Sequence, residues 1–204
     1  MTAEIQPNEI KTTVGNYFPA FEKVLRLIDH HAIERLAETL HGAREKGATI
    51  YVAGNGGSAA IASHWVNDLG KATKGSGFQP VRVMSLSDNM SWLTALANDE
   101  GYDRVFAGQL ENFAKSGDVL VVISSSGNSL NLVKAVELAR KRGVTTIGLL
   151  GFDGGELKGL VDHYVLVPTE KGSYGLVEPS HQLICHILTA CLVNVGAAHA
   201  RSKS

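Results

Sequence analysis

Two short stretches of this 204-residue chain bring together residue types that hold an anion. Gly54-Asn55-Gly56-Gly57-Ser58 sets three glycines among its first four residues, and Ser124-Ser125-Ser126-Gly127-Asn128-Ser129 sets four hydroxyls among six. Glycines let the backbone take φ > 0 and let main-chain N–H groups approach a ligand closely. Serine hydroxyls and the free N–H groups of a helix start together donate several hydrogen bonds to phosphate oxygens. Beyond the first stretch stand His64 and Asp68, four apart and so on one face of a helix; Glu178 and His186 stand far along the chain. On one helix face, His64 and Asp68 are two potential ligands or proton carriers. Taken singly, each feature has a plainer meaning: a surface His–Asp pair, or a strand-to-helix turn with its N-cap. Two such loops after two strands of one apparent sheet favour a phosphate site.

Positioning these residues requires strands before the loops and helices after them. Thr49 to Ala53 is a short β-branched apolar run, and Asp118 to Ile123 is continuous in apolar residues; both read as strands of a parallel sheet, buried on both faces. Val81 to Leu86, Thr145 to Leu150 and His163 to Val167 complete five strands. Before them, residues 7 to 45 read as helical, with Pro19 kinking or splitting the first helix and Asp29 capping a second. Gly70 to Pro80 reads as a loop, Ser87-Asp88 as a cap, Asn89 to Ala97 and Tyr102 to Ala114 as helices with Asn98-Asp99 in the turn between them, and Leu130 to Arg142 as a helix. A short helix to about Leu160, a polar turn over Glu170 to Gly175 and a long last helix follow. Alternating strands and helices at this spacing define a doubly wound α/β fold with ligands at the carboxyl ends of the strands. One domain spans residues 1–204, as a helical extension over about 1–45 and an α/β core over about 46–200.

Charge is balanced, with 19 basic and 20 acidic residues, so no nucleic-acid partner is expected. Met1 to Lys11 is polar and lacks the apolar segment of a signal peptide. Cys185 and Cys191 share one apolar helical run and read as buried thiols in a reducing compartment. The run from Leu183 to Ala200, interrupted by His186, Asn194 and His199, reads as a core or interface helix rather than a membrane span. A cytoplasmic protein without membrane contact is expected. His30 and His31 read as solvated, Trp65 and Trp92 as packing residues, and His181 as a packing or hydrogen-bonding residue.

The chain resembles the sugar-isomerase (SIS) domain family, and within it the phosphoheptose isomerases, over nearly its whole length. The resemblance is carried by Gly54 to Ser58, His64 with an acid four residues on, Ala97-Asn98-Asp99, Ser124 to Ser129, and His186-Ile187-Leu188. It implies a single SIS domain with a five-stranded parallel sheet, doubly wound in the flavodoxin-like manner, and N-terminal helices that build a homotetramer with sites at subunit interfaces. It implies conversion of sedoheptulose 7-phosphate to D-glycero-D-manno-heptose 7-phosphate. Ser58, Ser124, Ser126 and Ser129 would hold the phosphate with Ser125 supplying backbone, alongside Gly56 and Gly57. Asn55 and Asp99 would contact sugar hydroxyls, Glu178 would also touch substrate, and Asp68 and His186 would be the catalytic pair. One Zn²⁺ per subunit, and no organic cofactor, would be held by His64, Asp68, Glu178 and His186. The chain departs from the family at Asp68, where glutamate is usual, and at Glu178, where glutamine is. An aspartate reaches roughly 1 Å less far, a displacement worth about 100-fold in rate at a reacting centre. The family's substrate-clamping arginine is missing, with Ala72 nearest its place and Lys71 and Lys74 as substitutes. Glu178 and His186 are eight apart, about 12 Å along a regular helix. Both meet one ion if the last helix begins at Pro179 with Glu178 just outside it, and that start is expected. Two alternatives remain: a binding or regulatory SIS module, of the kind that binds a replication initiator, and an isomerase of another phosphosugar.

Overall fold

The computed structural model describes residues 7–75 and 78–202, so Ser76 and Gly77 of the expected loop, the first six residues of the polar start and the side chain of His199 lie outside the described residues. Two helices, α1 (Pro7–Leu25) and α2 (His30–Glu45), precede five strands: β1 (Thr49–Gly54), β2 (Arg82–Ser85), β3 (Val119–Ser124), β4 (Thr145–Gly151) and β5 (His163–Val167). All strand pairs are parallel, in the order β2-β1-β3-β4-β5. The direction of winding reverses between β1 and β3, the place where an open α/β sheet leaves a crevice for ligands. Gly54 pairs with Ile123, so the two strands end nearly flush and their following loops are neighbours.

Alternate strand residues supply two cores, as the period of two demands. Ile50, Val52, Val121 and Ile123 face α2, α3 (Gly57–Ala72) and α8 (Tyr174–Ser202), joining Leu36, Leu40, Trp65 and Leu188. Tyr51, Ala53, Leu120 and Val122 face the other side, with Leu96 of α4 (Met90–Asp99), Leu110 of α5 (Ala107–Phe113), Leu132 of α6 (Leu130–Lys141) and Leu157 of α7 (Leu157–Leu160). Arg44, fully buried at the end of α2, donates to the carbonyls of Gln79, Thr73 and Leu192. It thereby pins the segment after α3 to α8.

Asp29 caps α2 by accepting from the His31 N–H, as its place before the apolar stripe predicts. Other boundaries differ from expectation. Asn89, not Ser87-Asp88, caps α4, and Asn98 and Asp99 finish that helix instead of turning away from it. Tyr102–Arg104 is a 3₁₀ turn, and α5 begins only at Ala107. Gly70 to Ala72 still belong to α3. Pro19 does not split α1, because the exposed Gly15 carbonyl that loses its partner faces water. The last helix begins at Tyr174, with Pro179 inside it, so the expected start at Pro179 is wrong. Pro179 has no N–H for the carbonyl of Gly175, and the Tyr17 hydroxyl of α1 donates to that carbonyl instead. Over Tyr174–Ala198 this helix is long and apolar enough by composition to cross a membrane, at mean hydropathy 1.4. Ile184, Cys185, Leu188 and Leu192 spend that apolarity on the core beside α2 and α3.

Candidate active site

The chain leaves β1 through a turn that only small residues fit. A β-carbon on Gly54 would stand 2.6 Å from the Ser58 carbonyl oxygen, and Gly56, the residue before α3, takes φ +53°. No side chain caps α3 at Gly56, so its first N–H groups remain available. After β3, Gly127 takes φ +66° and packs so tightly on Gly154 that a β-carbon would fall 1.9 Å from its carbonyl oxygen. This closeness holds the serine loop against the loop after β4.

Both loops line one cavity of about 180 Å³, with Asn55, Ser58, Ser124, Ser125, Ser126, Ser129, Tyr174 and Glu178 in its wall. Its hydroxyls are under-used within the protein. Ser124 Oγ accepts from the Gly127 N–H at 3.0 Å and Ser126 Oγ from the Asn128 N–H at 3.3 Å, which leaves both O–H protons free to donate. Ser129 precedes α6 without capping it, and the buried Ser125 hydroxyl has no hydrogen-bond partner among the described residues. Two helix starts, α3 and α6, flank the same space. The arrangement suits an anion that brings its own acceptors.

Glu178 is the one carboxylate in that wall, and it sits where the helix register puts it, not beside His186. A β-carbon on Gly57 would lie 2.7 Å from each of its carboxylate oxygens, so the carboxylate covers the start of α3. The expected four-residue metal cage therefore loses Glu178: inside a regular helix, two turns separate it from His186. Asp99, at the exposed end of α4, accepts from its neighbour Asn98 at 2.7 Å and does not line the cavity. Lys71 and Lys74 are exposed and are not among the lining residues either.

His64, Asp68 and His186 do come together, across α3 and α8. Asp68 Oδ2 lies 3.3 Å from His64 Nε2 and 3.1 Å from His186 Nδ1. The aspartate side chain is 21% exposed and each histidine 50%, so the carboxylate is the sheltered member. The two rings meet edge to face at 5.2 Å. Gln182 Nε2 lies 3.2 Å from His186 Nε2, which favours the tautomer that presents N–H at Nδ1 to Asp68. One ligand atom from each of the three residues falls within 4.8 Å of the others. Two imidazoles and a carboxylate at that spacing fit a catalytic zinc, which takes three protein ligands and keeps a position open. Cys185 is buried beside them; burial, reinforced by the Asp68 charge, pushes its thiol far up, so it stays an inert thiol.

Several supporting residues carry no signal in the sequence. Asn131 and Tyr102 both bind the Asn55 amide, at 2.9 Å. Phe152 takes φ +54°, unusual for a large side chain, and meets Tyr174 of the cavity wall edge to face at 5.2 Å. Trp65 is a fully buried packing residue whose Nε1 donates to Thr189.

A five-stranded parallel α/β sheet, with a serine-lined cavity at its switch point and a His–Asp–His cluster across α3 and α8, is the architecture of an SIS domain. Models of the SIS domain match residues 16–151 and 106–199, and the chain belongs to the SIS-domain family. It is 40% identical over 176 residues to the phosphoheptose isomerase of Helicobacter pylori, covering 85% of this chain and 88% of that one. It is 41% identical over 157 residues to the phosphoheptose isomerase of Pelodictyon phaeoclathratiforme, covering 76% and 74%. The solved structure of phosphoheptose isomerase GmhA from Neisseria gonorrhoeae superposes with a TM-score of 0.81 at 29% identity, covering 90% of this chain and 98% of that one.

Proposed function

We propose that this chain is an aldose–ketose isomerase that converts sedoheptulose 7-phosphate to D-glycero-D-manno-heptose 7-phosphate through an enediol. The observation that carries the proposal is the pairing of one serine-lined anion cavity with an Asp68 held between two imidazoles. Similarity to phosphoheptose isomerases over most of the chain supports the same reaction.

The chemistry divides between the two places. Hydroxyls of Ser58, Ser124, Ser126 and Ser129, with the main-chain N–H groups of Gly56, Gly57 and Ser125, hold the phosphate at the starts of α3 and α6. Asn55 and Glu178 contact the portion of the ligand next to it. Asp68 and His186 carry the proton between C1 and C2 and serve their oxygens. His186 Nδ1 lies 3.1 Å from Asp68 Oδ2, close enough for the two groups to share a proton. His64, Asp68 and His186 would hold one zinc ion per subunit, which supplies Lewis-acid stabilisation of developing charge on a sugar oxygen. No role is assigned to Asp99 within one subunit.

Assembly belongs to the same proposal. Ile10, Val14, Tyr17 and Phe18 leave an apolar stripe of α1 exposed, with Phe18 73% accessible, and Leu183, Ile187 and Val195 do the same on α8. Packing of these faces between copies gives a cytoplasmic homotetramer whose sites lie near subunit interfaces. One domain, with α1 and α2 as its assembly extension, is the unit that associates.

Turnover of sedoheptulose 7-phosphate by the purified chain tests the proposal, with a panel of other ketose phosphates beside it. Turnover of a different ketose alone would move the assignment to another phosphosugar. Phosphate binding without turnover of any member would give the chain to the regulatory SIS modules.

A further inference from the structure

Asn55 is committed on three sides before any ligand arrives. Its Nδ2 donates to Asn131 Oδ1 at 2.9 Å, and its Oδ1 accepts from Asn131 Nδ2 and from the Tyr102 hydroxyl, each at 2.9 Å. An amide has two lone pairs on its oxygen and two N–H bonds on its nitrogen. Asn131 and Tyr102 therefore saturate the oxygen and consume one N–H. What remains is a single N–H, on a residue that lines the serine cavity.

The two partners hold Asn55 from different directions. Asn131 is the second residue of α6, 3% exposed, and its amide reaches across the switch point to the loop after β1. Tyr102 comes from the 3₁₀ turn after α4 and is largely exposed. Without them the Asn55 amide could rotate and offer its carbonyl to the cavity. A carbonyl there would repel a phosphate oxygen and would accept from sugar hydroxyls instead.

We infer that Asn131 and Tyr102 are positioning residues that make Asn55 a pure donor, so that it binds an oxygen acceptor of the phosphosugar and never receives a hydroxyl proton. This deepens the proposed function and rests on the cavity being the phosphosugar site. The commitment of a side chain through its neighbours is measured by a double-mutant cycle, because a residue acting only through Asn55 adds nothing once Asn55 is gone. The experiment compares Asn55→Ala, Asn131→Ala, the double variant and Tyr102→Phe by kcat/KM for sedoheptulose 7-phosphate and by affinity for inorganic phosphate.

The expected result is a loss of about tenfold in at least one of these measures for Asn131→Ala, a loss at least as large for Asn55→Ala, and a double variant no worse than Asn55→Ala. Tyr102→Phe should fall several-fold in the same measure, and because Tyr102 is exposed it tests the idea even if Asn131→Ala fails to fold. Additive losses in the cycle would assign Asn131 a purely structural role and overturn the inference. An undiminished Tyr102→Phe together with an undiminished Asn131→Ala would overturn it too. If Asn55→Ala loses affinity while its partners' variants do not, the inference fails and the phosphosugar site stands. If Asn55→Ala itself changes nothing, the site assignment falls and takes the inference with it.

Discussion

Gly57 and Glu178 are fitted to one another: the glycine has no β-carbon where the carboxylate of the glutamate lies, 2.7 Å from each oxygen. Among the described residues, that carboxylate has neither a hydrogen bond nor an ion pair, so its field is unopposed except by the start of α3. A bound phosphate meets it as a like charge. Two unit charges about 5 Å apart cost about 3 kcal/mol at an effective dielectric constant of about 20. Glu178→Gln should therefore bind inorganic phosphate at least about tenfold more tightly, read by titration calorimetry. Equal or weaker binding by the amide variant would show that the carboxylate does not oppose the anion.

Removing the Ser126 and Ser129 hydroxyls should have the opposite effect. Each donor to a charged acceptor is worth about 1.5 to 3 kcal/mol. The double alanine variant should lose well over tenfold in phosphosugar affinity with little change in its thermal midpoint, since Ser129 does not cap α6 and Ser126 gives up only a 3.3 Å bond from the exposed Asn128 N–H. Unchanged affinity would remove phosphate from this cavity.

The His64–Asp68–His186 cluster predicts a metal that can be separated from phosphate binding. His64→Ala should lose the ion and keep its affinity for inorganic phosphate, and chelation should abolish isomerase activity. Elemental analysis of active protein should find close to one transition-metal equivalent per chain. A content under about a tenth of an equivalent would leave Asp68 and His186 as an unassisted acid–base pair.

His181 gives a pH signature of its own. It is fully buried on α8, and among the described residues neither ring nitrogen has a well-formed hydrogen bond, with the Leu150 backbone as a polar neighbour. Burial lowers its pKa from 6.5 to about 4, opposed weakly by the Leu150 backbone. The unfolded chain then binds more protons between those values, so the neutral ring's contribution is complete above about pH 6.5 and drains away as pH falls toward 4. A shift of this size corresponds to about 3 kcal/mol. The melting temperature of the wild type should fall across that window more steeply than that of His181→Leu. Parallel slopes would show that the ring takes up its proton as readily in the folded chain as in the unfolded one.

The exposed stripe of Ile10, Val14, Tyr17 and Phe18 predicts the oligomer. Light scattering at micromolar concentration should give the mass of four chains, and Phe18→Glu should lower it by placing a charge in the interface. A wild-type monomer would contradict the assembly.

The parallel sheet was legible chiefly through its central strands, since Ile50 to Ala53 and Val119 to Ile123 are continuous apolar runs buried on both faces. The glycine and serine loops were legible because backbone geometry and hydroxyl chemistry restrict their residue types. Glu178 was misplaced for a reason outside its own segment. Pro179 reads as a helix start unless something else satisfies the Gly175 carbonyl, and that something is Tyr17, more than 150 residues away. Asn131 and Tyr102 escaped notice for the same reason: their significance lies in bonds to Asn55, which no local spacing encodes. Asp99 matched a motif, yet among the described residues of one chain its carboxylate accepts a hydrogen bond only from Asn98.

Helix α3 begins at the anion cavity and carries His64 and Asp68 further along its own length. From Ser58 to His64 is six residues and to Asp68 ten, about 9 Å and about 15 Å of helical rise. In the proposed reaction the helix works as a gauge, fixing how far a reacting carbon stands from the phosphate that anchors it. One residue inserted between Ser58 and His64 would turn the His–Asp pair by about 100° and advance it by about 1.5 Å, away from His186 on α8. Side-chain substitutions on the outer face of α3 are cheap by comparison. What this segment cannot vary is its length.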